Sequence, residues 1–304
     1  MSGRGSVQLQ AVLYQTDPGI LLRAIRAIDR AAETAAENGL KVSLRWGDAS
    51  ETPVFQKAAW KAFTLEGPHL SKMDYRFFGE NTGYGRGNNL LGLDSDADYL
   101  LIMNPEIMLP PHGIIDLTDP FRDPAVGITE ARQIPVEHPK EYHPETMETE
   151  WCSGACFMIP GALFQALKGF DSETFFMYCE DVDLSWRVRM AGRKLYYQPL
   201  CGVFHGRTLS ERGENQASET ERCHTVYSEA MLAYKWSYPE YARERITQAV
   251  RRGDPGGEEA MTLFRRKERT GGLPVFVDPE HRVAHIIQFP ETGGMLFTGH
   301  RFQL

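Results

Sequence analysis

Four short stretches of the 304-residue chain carry side chains whose types and spacing suit work on a charged substrate. The longest is Gly169-Phe170-Asp171 followed by Phe175-Phe176-Met177-Tyr178-Cys179-Glu180-Asp181-Val182-Asp183-Leu184-Ser185-Trp186-Arg187. Aromatic residues there crowd against Glu180 and Asp181, directly before a helical pattern that runs to Gly192. Acidic residues favour a helix's first turn because the helix dipole attracts them. Carboxylates beside so much aromatic surface are also candidates for a tuned general base. The second stretch is Met103-Asn104-Pro105-Glu106. In extended backbone, side chains two residues apart point the same way, so Asn104 and Glu106 can reach one cation together. Oxygen donors suit Mg2+ or Mn2+, which bridge diphosphate oxygens; the same residues alone also describe a proline turn with a solvated glutamate. The third is Val203-Phe204-His205, a histidine ending an apolar run, either a ligand or a structural residue. The fourth is Asn81-Thr82-Gly83-Tyr84-Gly85-Arg86-Gly87-Asn88-Asn89, whose alternate glycines either let backbone approach a ligand or form a structural tight loop leading into a helix. It is no dinucleotide fingerprint, which would need glycine at Asn88 and a place on the first strand.

These stretches need elements to position them. Val7 to Tyr14 alternates and then runs apolar, as a strand does. Asp17-Pro18 supplies an N-cap and first helical residue for a helix with Ile20, Leu21, Ala24, Ile25 and Ile28 at helical spacing. Asn38-Gly39 ends that helix. Lys41 to Trp46 is a second strand with Gly47-Asp48-Ala49-Ser50 as its turn, and Tyr75 to Phe78 a third. Tyr99 to Met103 is wholly apolar, which places it centrally. This alternation predicts an α/β fold with a mainly parallel central sheet flanked by helices. Ligands of such sheets bind beyond the carboxyl ends of the strands, where Asp17, Asp48, Asn81 and Asn104-Pro105-Glu106 all fall.

Composition narrows the choices. Acidic residues number 41 against 33 basic ones, a net charge of −8, which excludes nucleic-acid binding through bulk positive charge. A local anion site remains compatible, held by a metal or by backbone amides. No apolar run approaches the ~18 residues of a membrane span, and Met1 to Ser6 lacks a signal-peptide core. The five cysteines, an odd number in a long chain, fit reduced thiols and a cytoplasmic protein. Cys152 and Cys156 lack the second pair that a zinc site would need.

Taken in order, these segments resemble the family-2 inverting glycosyltransferases of GT-A fold, particularly the bacterial rhamnosyltransferase-like branch. The resemblance runs from Val7 to His205 and is most specific from Gly154 to His205. It implies a transfer from a nucleotide-diphosphate sugar to a hydroxyl of a glycan, lipid-linked or small-molecule acceptor. Asp181 matches the family's general base, and Glu180 would orient it or contact the acceptor. Asn104 and Glu106 take the place of the Asp-x-Asp metal motif for Mn2+ or Mg2+, and His205 matches the histidine that completes that site. Asp48, Asn81, Asn88 and Asn104 fall where relatives contact the nucleotide. Two departures stand out: relatives commonly carry Asp at the Glu106 position and at the Gly47 position. They keep open a second reading, a non-catalytic GT-A-like protein that binds a nucleotide or glycan. A nucleotidyltransferase would want a glycine-rich, basic loop after the first strand, which Tyr14-Gln15-Thr16-Asp17 does not offer.

The expected division is a catalytic domain over 1–206 and a C-terminal helical and short-strand extension over 207–304. Helices are expected over Glu214 to Trp236, Tyr241 to Arg252 and Glu258 to Arg269, then strands at Val275 to Val277, Val283 to Phe289 and Met295 to Phe302. Eight bases against five acids between Arg243 and Arg269 suggest either a solvated helical face or peripheral contact with the inner face of an anionic membrane. An edge of the last strands suits acceptor contact or a homodimer.

Overall fold

A computed structural model describes residues 5–138, 140–206, 218–288 and 295–296. Nine helices and ten strands are described. Strands β1 (Gly5–Leu13), β2 (Leu40–Asp48), β3 (Lys72–Phe77) and β4 (Tyr99–Met103) alternate with helices α1 (Pro18–Glu37), α2 (Lys57–Phe63) and α3 (Gly83–Gly92). Then come β5 (Ile107–Met108), α4 (Gly113–Thr118), β6 (Val126–Ile134), β7 (Cys156–Pro160), α5 (Gly161–Ala166), α6 (Glu180–Met190) and β8 (Lys194–His205). The chain continues through α7 (Glu219–Lys235), α8 (Pro239–Arg252), α9 (Gly257–Thr270), β9 (Ile287–Gln288) and β10 (Met295–Leu296).

Eight strands form one sheet in the order β3-β2-β1-β4-β7-β6-β8-β5. The first four are parallel, whereas β7 runs antiparallel to both β4 and β6, and β6 is again parallel to β8. Strand β4 is central, as its composition requires. Leu101 and Met103 face a core with α1 and α4, while Leu100 and Ile102 face the opposite core with α5 and α6. Helix α1 starts where Asp17 accepts from the Gly19 and Ile20 amides, with Pro18 at its first position. Its buried Leu21, Ile25 and Ile28 each contribute roughly 1.5–3 kcal/mol through burial.

Three local expectations change. Gly47 and Asp48 belong to β2 and pair with Arg76 and Phe77, so they do not form a turn. The glycine stretch is already helical from Gly83. There Gly83 has φ +66°, and a Cβ would overlap the Phe176 carbonyl; Gly87 lets the helix settle against Val12. Val275 to Val277 forms no strand: its chain is held by Val277 N–H donating to the Lys235 carbonyl. The expected strands beyond Gln288 lie outside the described residues, apart from the β9–β10 pair.

Helices α7, α8 and α9 share a hydrophobic core with α6, where Trp186 meets Trp236 edge to face at 5.1 Å between ring centroids. Under that contact lies a charged cluster. Lys235 Nζ sits 2.8 Å from Asp171 Oδ2 and 2.5 Å from Asp183 Oδ1. Arg187 Nε donates to Asp183 Oδ2 at 2.8 Å, and Trp236 Nε1 donates to Asp183 Oδ1 at 3.0 Å. Asp183 is fully buried. Removing Lys235 takes one of two cations from Asp183 and the paired cation from Asp171, in a low-dielectric interior. Lys235→Met is therefore expected to cost about 3–5 kcal/mol, read as a lower urea midpoint with an unchanged slope; a wild-type midpoint would show that the cluster does not join the two parts.

Candidate active site

The parallel strands β1 to β4 all end on one side of the sheet, and the candidate residues gather there. Met103 closes β4, and a turn through Asn104 and Pro105 returns the chain, with Ile107 N–H donating to the Asn104 carbonyl at 3.2 Å. Strand β5 then pairs Ile107 with His205 at the end of β8. That pairing brings together residues about a hundred positions apart in the chain. His205 Nε2 lies 2.9 Å from Glu106 Oε1 and 3.2 Å from Asn104 Nδ2. Its other nitrogen, Nδ1, lies 3.2 Å from Gln133 Oε1. The ring is buried, and Glu106 is partly open to solvent.

With Nδ1–H donating to Gln133, the Nε2 lone pair points between an amide and a carboxylate. One imidazole, one carboxylate and one amide then fit part of a coordination shell, which diphosphate oxygens and water would complete. No group of three or more His, Cys, Asp and Glu able to hold a metal occurs among the described residues. Gln133 was absent from the expected set, because only the pairing of β6 with β8 brings it to His205.

Asp181 stands next door, in the first turn of α6. Its Oδ2 accepts from Gly154 N–H at 2.7 Å and its Oδ1 from Val182 N–H at 2.8 Å. The 154–155 backbone links the two groups, because the Ala155 carbonyl accepts from Asn104 N–H at 2.9 Å. Tyr84 of α3 closes the third side, its hydroxyl donating to the Gly154 carbonyl at 2.5 Å. Burial pushes the Asp181 carboxyl upward, only partly opposed by the two amides and by the Lys140 charge. Helix α6 is entered through Tyr178 and Cys179, both at positive φ, a strained approach for residues with side chains.

Glu180 behaves differently. It is only 5% exposed, its Oε2 has no hydrogen-bond partner, and its Cγ packs toward Gly85 of α3. Burial first, and then the Asp181 charge, raise its carboxyl well above the usual range. The pair therefore favours holding a proton near neutrality.

The nucleotide-side candidates divide. Asn81 is exposed and accepts from Gly83 N–H. Asp48, expected on the nucleotide side, is fully buried. Its carboxylate accepts from Ser50 N–H at 2.9 Å, Val54 N–H at 2.7 Å and the Tyr75 hydroxyl. It thus shapes the 49–54 loop, backed by the rings of Trp46, Phe55, Trp60 and Phe63. Asn88 is also buried, its amide bonded to Gln10 and to the Tyr84 carbonyl, so it ties α3 to β1. Gly47 has a steric reason: a Cβ there would overlap the Phe78 ring.

The raised Glu180 carboxyl has a stability consequence. A group whose folded-state pKa is raised gives stability below its unfolded pKa and loses it as pH rises through the folded value. Glu180→Gln removes that loss, so its urea midpoint is expected to fall less than the wild-type midpoint between pH 5 and pH 9. Parallel curves for the two proteins would contradict the raised carboxyl.

No protein-family model matches the chain. The rhamnosyltransferase WbbL of Escherichia coli is 27% identical over 174 residues, 45% of this chain and 65% of that protein. The N-acetylglucosaminyl-diphospho-decaprenol L-rhamnosyltransferase of Mycobacterium tuberculosis is 28% identical over 193 residues, 48% of this chain and 62% of its own length. The chain thus spans just under two thirds of these relatives. Among solved structures, GalNAc-T7 with UDP, GalNAc and Mn2+ aligns at a TM-score of 0.63 and 13% identity, covering 92% of this chain and 57% of that one. The mannosyltransferase PcManGT of Pyrobaculum calidifontis, in complex with GDP-Man and Mn2+, aligns at 0.55 and 14% identity, covering 88% and 83%. The structural likenesses show the fold, and the sequence likenesses cover just under half of the chain. The chain has the fold of the GT-A glycosyltransferases and is similar in sequence to bacterial rhamnosyltransferases over just under half of its length.

Proposed function

We propose that this protein is an inverting glycosyltransferase that moves a sugar from a nucleotide-diphosphate donor to an acceptor hydroxyl, with Asp181 as general base. The observation that carries the reading is the meeting of two groups at one sheet edge: the half-buried Asp181 carboxylate gripped by amides, and the Asn104-Glu106-His205 trio. The rhamnosyltransferase relatives favour a deoxyhexosyl donor such as nucleotide-rhamnose and a lipid-linked acceptor.

In this mechanism Asp181 takes the proton of the acceptor hydroxyl as its oxygen attacks the anomeric carbon. The bond from that carbon to the diphosphate breaks on the opposite face. A single displacement needs one base and a stabilised leaving group, with no second catalytic carboxylate. Asn104, Glu106 and His205 would hold Mn2+ or Mg2+, and Gln133 keeps the imidazole turned toward it. The cation, when bound, supplies charge neutralisation for the diphosphate. Asn81 borders the donor, while Asp48 and Asn88 support the walls of its pocket. Glu180 holds a proton beside Asp181 and keeps acceptor water out of that corner. The helices over 207–304 would serve the acceptor side, with a basic face on α8 and α9 for an anionic membrane and the edge strands for a homodimer. No described helix is long and apolar enough to cross a membrane; a peripheral place at its inner, cytoplasmic face belongs to this reading.

Asp181→Asn is expected to lower transfer by about 10²–10⁴-fold while donor binding, followed by calorimetry, persists. Full activity would remove Asp181 as the base. A protein that binds donors and never transfers, with Asp181 intact, would favour the non-catalytic reading. Transfer by the wild type should fall as pH drops through the raised Asp181 value, because only the carboxylate accepts the proton. Gln133→Leu leaves each proposed ligand in place and is expected to weaken Mn2+ binding by about 10–100-fold. Unchanged Mn2+ affinity by calorimetry would separate His205 from any cation.

A further inference from the structure

Between β6 and β7 the chain crosses the site edge as a short strap, Trp151 to Ala155, and a buried ion pair holds it. Glu130 on β6 and Lys140 in the following connection are ion-paired, each side chain only 2% exposed. Lys140 Nζ also donates to the Trp151 carbonyl at 2.9 Å and lies 4.9 Å from the centre of the Trp151 ring. Glu130 Oε1 accepts from Ser153 N–H at 3.0 Å. One residue on, Gly154 N–H grips Asp181. Cys152 N–H donates to Ser185 Oγ at 3.0 Å, and that hydroxyl donates to the Asp181 carbonyl at 2.7 Å. The strap therefore touches Asp181 through both its side chain and its backbone, and reaches Asn104 through Ala155.

A buried ion pair costs desolvation that its mutual attraction need not recover, so an apolar pair of similar size would serve packing as well. What an apolar pair lacks is direction. Here the carboxylate and the ammonium each fix one backbone group of the strap, two residues apart. We infer that Glu130 and Lys140 are positioning residues that clamp the strap so that the Gly154 amide holds Asp181 in its reactive orientation and charge. This deepens the proposed function and rests on Asp181 being the base. The ionisable groups within electrostatic reach of Asp181 are Glu180 on its own helix, Tyr84 on α3, the Cys152 and Cys179 thiols, and Lys140. Of these Lys140 is the cation, so the clamp and its charge act in the same direction.

The test is a carbon-13 NMR titration of the Asp181 carboxyl, identified by its loss in Asp181→Asn, in full-length protein. The double variant Glu130→Gln/Lys140→Met leaves no unpaired buried charge. Its Asp181 midpoint is expected to rise by about one pH unit or more, with transfer at neutral pH at least tenfold lower and the donor KM unchanged. Glu229→Gln/Arg245→Met removes a largely buried pair between α7 and α8 and should leave the midpoint in place. A wild-type midpoint in the first variant, or an equal rise in both, overturns the clamp. Should the first variant fail to fold, amide exchange in the unmodified protein decides: Ser153 and Gly154 should exchange about a hundredfold slower than in a free peptide, and free-peptide rates overturn it. A wild type that titrates as described and transfers no sugar from any donor contradicts the glycosyltransferase reading alone.

Discussion

A carboxylate withdrawn from water must be met by N–H donors or by a cation, and that requirement organises the half of the molecule that carries the site. Asp48 is met by the Ser50 and Val54 amides and the Tyr75 hydroxyl, which closes the loop beyond β2. Glu130 is met by Lys140 and the Ser153 amide, which places the strap before β7. Asp183 is met by Lys235, Arg187 and Trp236, which fastens the C-terminal helices onto α6. Glu180 is the exception: one oxygen has no partner, so its raised carboxyl keeps the proton. The same rule thus accounts for a loop, a strap, a helix contact and a protonated neighbour of Asp181.

The geometry of the edge follows from these fixings. Strand β5 is two residues long and buries little by itself. Its pairing with β8 nevertheless sets Glu106 against His205, and the Asn104 backbone is tied to the strap that grips Asp181. Proton acceptance and diphosphate binding would then share one rigid piece of backbone. A displacement at a single carbon benefits from that arrangement, because attacking and leaving oxygens must stay in line.

Much of the fold was legible in the chain. The apolar run Tyr99 to Met103 marked the central strand, Asp17-Pro18 marked the start of α1, and Asn38-Gly39 marked its end. Local signals of this kind depend on near neighbours only. The alternating glycines left two readings open, and Gly85 and Gly87 serve close helix packing against Phe170 and Val12. Val275 to Val277 misled, because β-branched residues held by one backbone bond to α7 need no sheet. Among the candidate residues, Asn104, Glu106, Asp181 and His205 stood out by type and spacing. Glu130, Gln133 and Lys140 did not, since their roles arise from partners brought close only by the sheet. Asp48 was visible beyond a strand and Asn88 beside the glycines, yet only the fold shows that both are buried and bonded within the protein.

The central claim is a single displacement assisted by one carboxylate. Proton NMR of the fresh product, formed from the donor that this protein uses, reports the anomeric configuration directly. The account predicts a configuration opposite to that of the donor. Retention would contradict it, because a retained centre requires either two successive displacements or attack from the leaving-group face, and neither is served by Asp181 alone.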